Sequence, residues 1–191
     1  MRIIAGSYRS RRLNAPSGLS TRPTSDRLRE TLFNVLAPRI ARAVFLDLYA
    51  GSGAVGLEAL SRGAAHVSFV ERAPAALRIL RKNMADLGVE SGFDVRAESV
   101  SAFLRSSAKP NLSRNAYEIV FLDPPYDAAE EYTATLSTLG SHSEILAPGA
   151  VVVAEHRRKQ NLHEQYGRIV RSRLLEQGDA ALSFYAVQPE R

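Results

Sequence analysis

The feature that most restricts the fold of this chain is a glycine-rich stretch directly after a short apolar segment. Residues 44–48 read V-F-L-D-L, which is typical of a buried strand, and residues 50–56 read A-G-S-G-A-V-G. Gly51, Gly53 and Gly56 match the pattern G-x-G-x-x-G, in which glycines let a strand turn tightly into a helix and approach a ligand. The pattern predicts a βαβ unit with a ligand at its first turn.

Strand and helix patterns alternate along the rest of the chain. Further strands are predicted at 67–70, 93–95, 119–122 and 151–154, and helices at 25–37, 53–61, 74–87, after Ser99 and at 129–139. Pro38 is expected to end the first helix. The last segment alternates polar and apolar residues around Gly178-Asp179, which predicts an antiparallel hairpin. We therefore expect an α/β fold, a Rossmann-like and mostly parallel sheet with helices on both faces and a C-terminal antiparallel hairpin.

The positive charge of the chain is concentrated at its N-terminal end. Residues 1–42 carry nine arginines against Asp26 and Glu30, whereas the remainder has 16 basic and 18 acidic residues. Arginine can pair bidentately with phosphate and stack on bases, so this distribution favours nucleic-acid binding over a merely solvated surface. A second basic cluster lies near the C-terminus and consists of Arg157, Arg158, Lys159, Arg168, Arg171 and Arg173.

The N-terminal segment is predicted to be a separate extension. Residues 2–5 and 11–14 are two short strand-like segments around G-S-Y-R-S, which predicts a basic β-hairpin before the first helix. We divide the chain into an extension of residues 1–40, which binds nucleic acid, and a larger domain of residues 41–191. The candidate substrate contacts of the hairpin are Arg9, Arg11 and Arg12.

Composition excludes several classes of chemistry. The chain has no cysteine, which rules out disulfides, cysteine-rich zinc sites and a catalytic thiol. Its four histidines lack metal-ligand spacing, so we expect no bound metal. No apolar run approaches the roughly 20 residues of a membrane span, and the N-terminus turns polar too soon for a signal peptide. We therefore expect a cytoplasmic monomer without membrane contact.

An acid at each of the first two strand ends indicates which ligand the glycine turn holds. Glu71 follows the second strand, 20 residues after Gly51, where a carboxylate can hold ribose hydroxyls. Asp47 enters the turn, where an acid suits a cationic amine and opposes a pyrophosphate, which requires positive potential. S-Adenosylmethionine has such an amine and is therefore favoured over a dinucleotide. The candidate cofactor-binding residues here are Asp47, Ala50, Gly51, Ser52, Gly53, Glu71 and Arg72.

A second chemical motif, D-P-P-Y at 123–126, directly follows the strand predicted at 119–122. Ligands of α/β sheets bind at this end of the strands. An aryl amine is a weak nucleophile because its lone pair conjugates with the ring. Hydrogen bonds from the amine to the Asp123 carboxylate and the Pro124 carbonyl would localise that lone pair. The candidate catalytic residues are Asp123, Pro124 and Tyr126, which can stack on the base, and Pro125 is a candidate substrate contact.

Four segments together resemble a known family. They are R-I-I-A-G at 2–6, R-P-T-S-D-R-L-R-E at 22–30, G-S-G-A-V-G-L-E-A-L-S-R-G-A at 51–64 and D-P-P-Y at 123–126. The last is similar to the (D/N/S)-P-P-(Y/F/W) signature of amino-methyltransferases. The whole set resembles the bacterial 16S ribosomal RNA guanine-N2 methyltransferases, the RsmD family. The resemblance implies a seven-stranded class I methyltransferase fold, S-adenosylmethionine as cofactor, and a guanine of 16S ribosomal RNA or of the small ribosomal subunit as target.

Two further contacts are expected around the cofactor. Families of this fold often place an acid after the third strand to contact the adenine amine. Here residues 97–100 read A-E-S-V, so Glu98 or Ser99 takes that place, or both only cap the next helix. Arg22 and Thr24 are candidates to close over the cofactor or the target base, and the alternative for them is a helix cap beside a solvated arginine.

Three alternatives remain open at the level of sequence. An adenine-N6 methyltransferase acting on DNA or RNA would use the same amine chemistry, although no separate target-recognition domain is visible. A nicotinamide-dependent oxidoreductase would explain the glycine pattern, but neither D-P-P-Y nor the basic N-terminus. A non-catalytic RNA-binding module would need none of Asp47, Glu71 and Asp123.

Overall fold

One β-sheet extends from Val44 to Val187. Its strands are β1 (Val44–Leu48), β2 (His66–Val70), β3 (Phe93–Arg96), β4 (Tyr117–Leu122), β5 (Leu146–Arg157), β6 (Gln165–Tyr166), β7 (Ile169–Gln177) and β8 (Ala180–Val187). The computed structural model describes residues 1–15, 26–108, 116–125 and 128–188. Within these ranges the sheet has eight strands in the order β3-β2-β1-β4-β5-β8-β7-β6.

Five α-helices in the same ranges pack on the two faces of the sheet. They are α1 (Asp26–Ile40), α2 (Ala54–Ser61), α3 (Pro74–Leu87), α4 (Val100–Ser107) and α5 (Ala129–Ser141). Helices α1, α2 and α3 share a hydrophobic core with one face, and α4 and α5 share a second core with the other. In β1, Phe45 belongs to the first core and Leu46 to the second, because successive side chains of a strand point to opposite faces. Among these helices, none has the length and apolar character that a membrane-spanning segment requires.

The strand order explains where a ligand can bind. Strands β1 to β5 are parallel, and β1 lies between β2 and β4. The chain therefore runs outward from β1 to β3 and then returns to the other side of β1. At such a reversal the connecting helices lie on opposite faces and leave a crevice at the carboxyl ends of the strands. Strands β5, β8 and β7 are antiparallel neighbours and form the C-terminal hairpin region.

The α/β class, the mostly parallel sheet and the C-terminal hairpin are confirmed, and three details differ from expectation. The sheet has one strand more than the expected seven, since the two-residue β6 pairs with β7. Strand β5 begins at Leu146 rather than at 151. Helix α1 continues past Pro38 to Ile40. A proline in a last turn forfeits one backbone hydrogen bond, and burial of the Ile40 side chain in the first core offsets that loss.

The N-terminal arm, residues 1–15, contains a single antiparallel bridge, which pairs Arg2 with Arg12. The predicted hairpin of two short strands, at 2–5 and 11–14, is therefore wrong in its extent. The reason is that the backbone N–H groups that follow Ile3 donate to the carboxylate of Glu58 on α2 instead of to the opposite segment. The arm is thus docked on a helix rather than folded as a free-standing hairpin.

Glu58 is a fully buried carboxylate at the centre of this docking site. It accepts hydrogen bonds from the N–H groups of Ile4 at 2.7 Å and Ala5 at 3.0 Å, and from the Arg62 Nε at 2.7 Å. The Arg29 Nε of α1 lies 3.7 Å from it, and neither the Arg29 nor the Glu58 side chain is exposed. A buried charge is tolerated only when it is paired and hydrogen-bonded, so Glu58 ties the arm, α1 and α2 together.

A second polar contact joins the arm to α3 and to the glycine turn. The buried Asn83 carboxamide accepts a hydrogen bond from the Asn14 N–H at 2.7 Å. It donates to the carbonyls of Asn14 at 3.0 Å and of Ser52 at 2.9 Å. Ser52 belongs to the turn predicted to hold the cofactor. The arm is therefore held at two points, and one of them also supports that turn.

We expect the substitution Glu58→Ala to destabilise the protein strongly. It leaves the buried Arg29 guanidinium without its buried carboxylate and removes the acceptor of two arm N–H groups. Breaking a buried pair on one side costs about 3–5 kcal/mol, which urea unfolding would measure. Glu90→Ala, at an exposed position, is the control and should change the free energy of unfolding by less than about 0.5 kcal/mol. Equal effects of the two substitutions would contradict the role given to Glu58.

Candidate active site

A cavity of about 510 Å³ opens at the carboxyl ends of β1, β2 and β4. Of the predicted site residues, it brings together Asp47, Ala50, Gly51, Ser52, Glu71, Arg72, Glu98, Ser99, Asp123, Pro124 and Pro125. Its wall does not include Gly53 or the arm arginines Arg9, Arg11 and Arg12. Arg22, Thr24 and Tyr126 lie outside the described residues.

Close packing explains two glycines of the first turn. Gly53 precedes α2 with a φ of 78°, and a Cβ there would lie 2.2 Å from the Leu80 Cδ1 of α3. A Cβ on Gly56 would lie 2.3 Å from the Phe69 Cε1 and 2.9 Å from the Asp47 Oδ2. Both positions therefore exclude any side chain. Gly53 supports the turn from behind the cavity wall rather than lining it.

Asp47 is an almost fully buried acid in β1 that lines the cavity. It is 2% exposed and accepts a hydrogen bond from the Gly56 N–H at 2.8 Å. Burial raises the pKa of Asp47 to about 8, the charge of Glu71 adds to that rise, and the hydrogen bond from Gly56 opposes it. The pKa rises because a buried carboxylate lacks solvation and has no cation beside it. A positive group in the cavity would supply the missing partner.

Glu71, at the end of β2, is held by backbone donors on both of its oxygens. The Gly51 N–H donates to one oxygen at 2.9 Å, and the Ala73 N–H donates to the other at 2.7 Å. A carboxylate oxygen can accept more than one hydrogen bond. Glu71 is therefore fixed at the cavity wall with acceptor capacity left for the hydroxyl groups of a ribose.

The two candidates after β3 have different partners. The Ser99 Oγ accepts a hydrogen bond from the Ala102 N–H at 3.2 Å and so caps α4. The Glu98 carboxylate lies 3.4 Å from the Arg96 Nε and is not part of that cap. Both residues line the cavity. The Ser99 hydroxyl is thus used by the helix, which leaves Glu98 as the better proposal for an adenine contact.

Asp123 directly follows β4 and has a second buried acid beside it. Leu122 pairs with Ala154 of β5, so the next residues, Asp123 and Glu155, are neighbours at the same end of the sheet. Glu155 is 1% exposed. Burial, and then the charges of Glu155 and Asp47, raise the pKa of Asp123 well above its usual range. A positive charge in the cavity would oppose this rise in the pKa of Asp123.

Helix α5 positions the residue that follows β1. Tyr49 has a left-handed φ of 60°, which costs free energy for a residue with a side chain. Its hydroxyl donates to the Glu131 Oε2 at 2.6 Å and lies 2.9 Å from the Thr135 hydroxyl. Burial, and then the hydrogen bond to Glu131, raise the pKa of Tyr49 above its usual range, so the phenol stays protonated. These contacts from α5 hold the start of the glycine turn in place.

Tyr132, also on α5, connects β5 to the loop after β4. Its fully buried hydroxyl donates to the Glu155 carbonyl at 2.9 Å and lies 3.4 Å from the Pro124 carbonyl. A hydroxyl has one proton, and the shorter contact uses it, so the Pro124 oxygen keeps a lone pair for another donor. Tyr132 thereby sets the spacing between the ends of β4 and β5.

The charge of the cavity wall indicates what it can hold. Among the residues that the structure describes, the wall contains one basic side chain, Arg72, and five acidic ones, Asp47, Glu71, Glu98, Asp123 and Glu131. A pyrophosphate would be repelled by this wall, whereas S-adenosylmethionine has a sulfonium and an amine that both fit it. Across the ranges that the structure describes, no group of His, Asp and Glu side chains could hold a metal ion.

Several residues of the site were missed by sequence reasoning. They are Met1, Tyr49, Glu131, Tyr132 and Thr135. Glu131 and Thr135 are four residues apart on a predicted helix and so share a face, which was an available signal. Met1 gave no signal, because its position depends on how the arm docks.

The fold and this site define a Rossmann-like methyltransferase that uses S-adenosylmethionine. A family model with the description "Conserved hypothetical protein 95" matches residues 1–186. YlbH of Bacillus subtilis is 36% identical over 185 residues, which are 97% of this chain and 98% of that protein. Ribosomal RNA small subunit methyltransferase D of Escherichia coli is 46% identical over 126 residues, 66% of this chain and 60% of that protein.

The solved structure of YhhF from Escherichia coli has a TM-score of 0.83 at 34% identity and covers 98% of both chains. The chain belongs to this family, the RsmD family of S-adenosylmethionine-dependent methyltransferases.

Binding of S-adenosylmethionine is expected to release protons at neutral pH. Asp47 has a pKa of about 8 in the free protein, so most molecules hold its proton at neutral pH, and a cation beside it lowers that pKa. The affinity should therefore rise as the pH increases from mildly acidic values towards the pKa of Asp47. Calorimetry in buffers of different ionisation enthalpy counts the protons released.

The substitution Asp47→Asn is the matched control for this measurement. The amide keeps an acceptor oxygen for the Gly56 N–H but has no proton that titrates in this range. The variant should bind the cofactor more weakly and with a smaller dependence on pH. If the unmodified protein released no protons on binding at neutral pH, the electrostatic account of Asp47 would be wrong.

Proposed function

We propose that this chain transfers a methyl group from S-adenosylmethionine to the exocyclic N2 amine of a guanine in 16S ribosomal RNA. Support for an RNA target comes from relatives such as the Escherichia coli protein named ribosomal RNA small subunit methyltransferase D. Support for guanine N2 comes from the resemblance of the D-P-P-Y segment and its companion segments to that family.

The observation that carries the proposal is the pair of acceptors at the end of β4. Asp123 and Pro124 both line the cavity that Asp47 and Glu71 share, and the Pro124 carbonyl is proposed to face the amine. An exocyclic amine has two N–H donors, so a carboxylate and a carbonyl can accept one each. Together these acceptors draw the lone pair of the nitrogen out of the ring and aim it into the cavity.

The ionisation of Asp123 is coupled to the occupancy of the cavity. When bound, S-adenosylmethionine supplies an electrophilic methyl group on a cationic sulfur. A positive charge in the cavity opposes the influence of Glu155 and Asp47, which raise the pKa of Asp123 in the free protein. Asp123 then ionises and becomes an acceptor only. Its hydrogen bond to the amine strengthens as the nitrogen loses electron density, which stabilises the transition state more than the ground state.

Contacts with the rest of the target are also part of the proposal. Tyr126 would stack on the base, Pro125 would contact it, and Arg22 and Thr24 would close over it. The exposed arginines of the arm would bind phosphates of the RNA. The acidic cavity wall argues against a nicotinamide dinucleotide, because its pyrophosphate would meet five carboxyl groups and one arginine.

The experiment that tests the proposal is single-turnover methyl transfer from labelled cofactor to 16S ribosomal RNA and to small subunits, followed by nucleoside analysis. The expected product is N2-methylguanosine. Asp123→Ala should reduce the rate by about 100-fold or more, since it removes one of two acceptors of the amine. Asp123→Asn keeps an acceptor oxygen and should retain more activity than Ala.

Cofactor affinity, measured in parallel, should change far less than the rate in both variants, and only through the linked ionisation of Asp123. Transfer by Asp123→Ala at the normal rate would refute the role of this carboxylate. If the product were N6-methyladenosine, the target base would be adenine rather than guanine.

Loss of the Tyr132 hydroxyl is expected to lower the rate of methyl transfer and to leave cofactor binding unchanged. Tyr132→Phe removes the contact that spaces Pro124 from Glu155, so the Pro124 acceptor is less well placed. We expect the single-turnover rate to fall about tenfold while cofactor affinity is unchanged, because small displacements of reacting groups are costly.

Tyr185→Phe is the matched control for this variant. Tyr185 is also fully buried, and its hydroxyl also donates to a backbone carbonyl, that of His163 at 2.9 Å. Both variants should lose about 1 kcal/mol of stability with the lost hydrogen bond, but only Tyr132→Phe should slow transfer. Equal rates in the two variants would show that Tyr132 is merely structural.

A further inference from the structure

Three consecutive basic residues lie at the same edge of the sheet as Asp123, where β4 ends. Strand β5 continues beyond Ala154, the register partner of Leu122, as far as Arg157. Since a strand rises about 3.3 Å per residue, Arg157 projects about 10 Å past the level at which β4 ends. Arg157, Arg158 and Lys159 are all exposed.

The β7–β8 turn and the start of α1 meet this edge from the side. Arg157 pairs with Ala180, and the Arg158 N–H donates to the Asp179 carbonyl at 2.8 Å, so the turn lies against the end of β5. The Thr31 hydroxyl lies 3.1 Å from the Gln177 Oε1 of β7. This contact brings α1 to the same place.

Helix α1 adds a fourth basic side chain. Arg27 lies one turn before Thr31, whose hydroxyl contacts the Arg27 carbonyl at 3.1 Å, and the Arg27 side chain is exposed. We call Arg27, Arg157, Arg158 and Lys159 the β5 corner.

Acidic residues also lie near the β5 corner, namely Glu176 and Asp179 around the β7–β8 turn and Asp26 and Glu30 close to Arg27 along α1. Arg158 lies 3.6 Å from Glu176, and these side chains are 59% and 49% exposed, so solvent screens the pair and leaves it weak. Within the described ranges, no ion pair involves Arg27 or Lys159. Arg27, Arg158 and Lys159 can therefore meet an anion without first breaking a strong ion pair.

The arm presents its charge at a different place. Its turn contacts Ser61 at the last residue of α2, and the Arg11 guanidinium donates to the Asp86 carbonyl near the end of α3. Both helices begin at the cavity edge and lead away from it. Arg11 of the arm therefore lies near the far end of α3, whereas Arg157, Arg158 and Lys159 lie at the edge of the sheet where β4 ends.

We propose that the β5 corner binds the phosphates that flank the target nucleotide. This inference rests on the proposed RNA methylation, because a base that enters the cavity leaves its sugar and phosphates at the mouth, beside the end of β4. The arm would then bind RNA farther from the target. An acidic protein could also be attracted by this charge, but the position next to Asp123 favours the chain that carries the reacting amine.

The test removes two charges from the corner in the double variant Arg158→Ala/Lys159→Ala. Binding of a 16S ribosomal RNA fragment is measured as a function of salt, and methyl transfer is measured as a function of RNA concentration. Loss of two phosphate contacts should reduce the slope of log affinity against log salt by about 1.4–1.8 and raise the KM for RNA at least tenfold. Cofactor affinity should not change. Arg158→Lys, which keeps the charge, should retain the normal slope.

The matched control is Arg78→Ala/Arg81→Ala, which removes two charges from an exposed face of α3. If the corner variant and this control have the same salt slope and the same KM for RNA, the proposal is overturned. A defect that is seen with assembled subunits but not with free RNA would identify a protein partner and overturn it as well. Failure of the unmodified protein to methylate ribosomal RNA would instead refute the proposed function, and the salt slopes would still report on the corner.

Discussion

The hydrogen bond from the Gly56 N–H to the buried Asp47 carboxyl, 2.8 Å long, fixes how the chain leaves β1. It draws the first turn of α2 against the strand so closely that Gly56 can have no side chain. The loop between them forms the wall of the cavity, and α2 carries Glu58, to which the arm is bound. One contact at the switch point of the sheet thus orients the cofactor site and the docking site of the arm together. The same burial raises the pKa of Asp47, and a cationic group of the bound cofactor would oppose that rise.

Helix α5 contacts both halves of the active site and fixes their relative position. Through Glu131 and Thr135 it holds Tyr49, and with it the loop on the cofactor side. Through Tyr132 it supports the ends of β4 and β5, where the proposed acceptors of the target amine lie. A rigid helix that contacts both loops sets the distance between methyl donor and acceptor more reliably than either loop could alone. The strain stored in the left-handed Tyr49 is tolerated because these contacts hold it there.

Local patterns in the sequence predicted the strands, the glycine turn, and the acids Asp47, Glu71 and Asp123, because each depends on residues close together in the chain. The extent of the hairpin could not be predicted, since Glu58 competes for its N–H groups from a helix far along the sequence. The same holds for Met1 at the cavity and for Glu155 beside Asp123, which become neighbours only when the sheet forms. The continuation of α1 past a proline was missed because burial of Ile40 outweighs a local rule.

The way in which the arm is held also determines when it can form. The arm is synthesised before its partners on α2 and α3, which follow it by 53 to 75 residues. At a synthesis rate of about 5–20 residues per second, the arm waits several seconds for them. Its one internal bridge is too little structure to persist alone, so the arm stays unfolded until the helices are in place. Residues of the arm therefore reach their native positions only after α2 and α3 have formed, although the chain makes them before those helices.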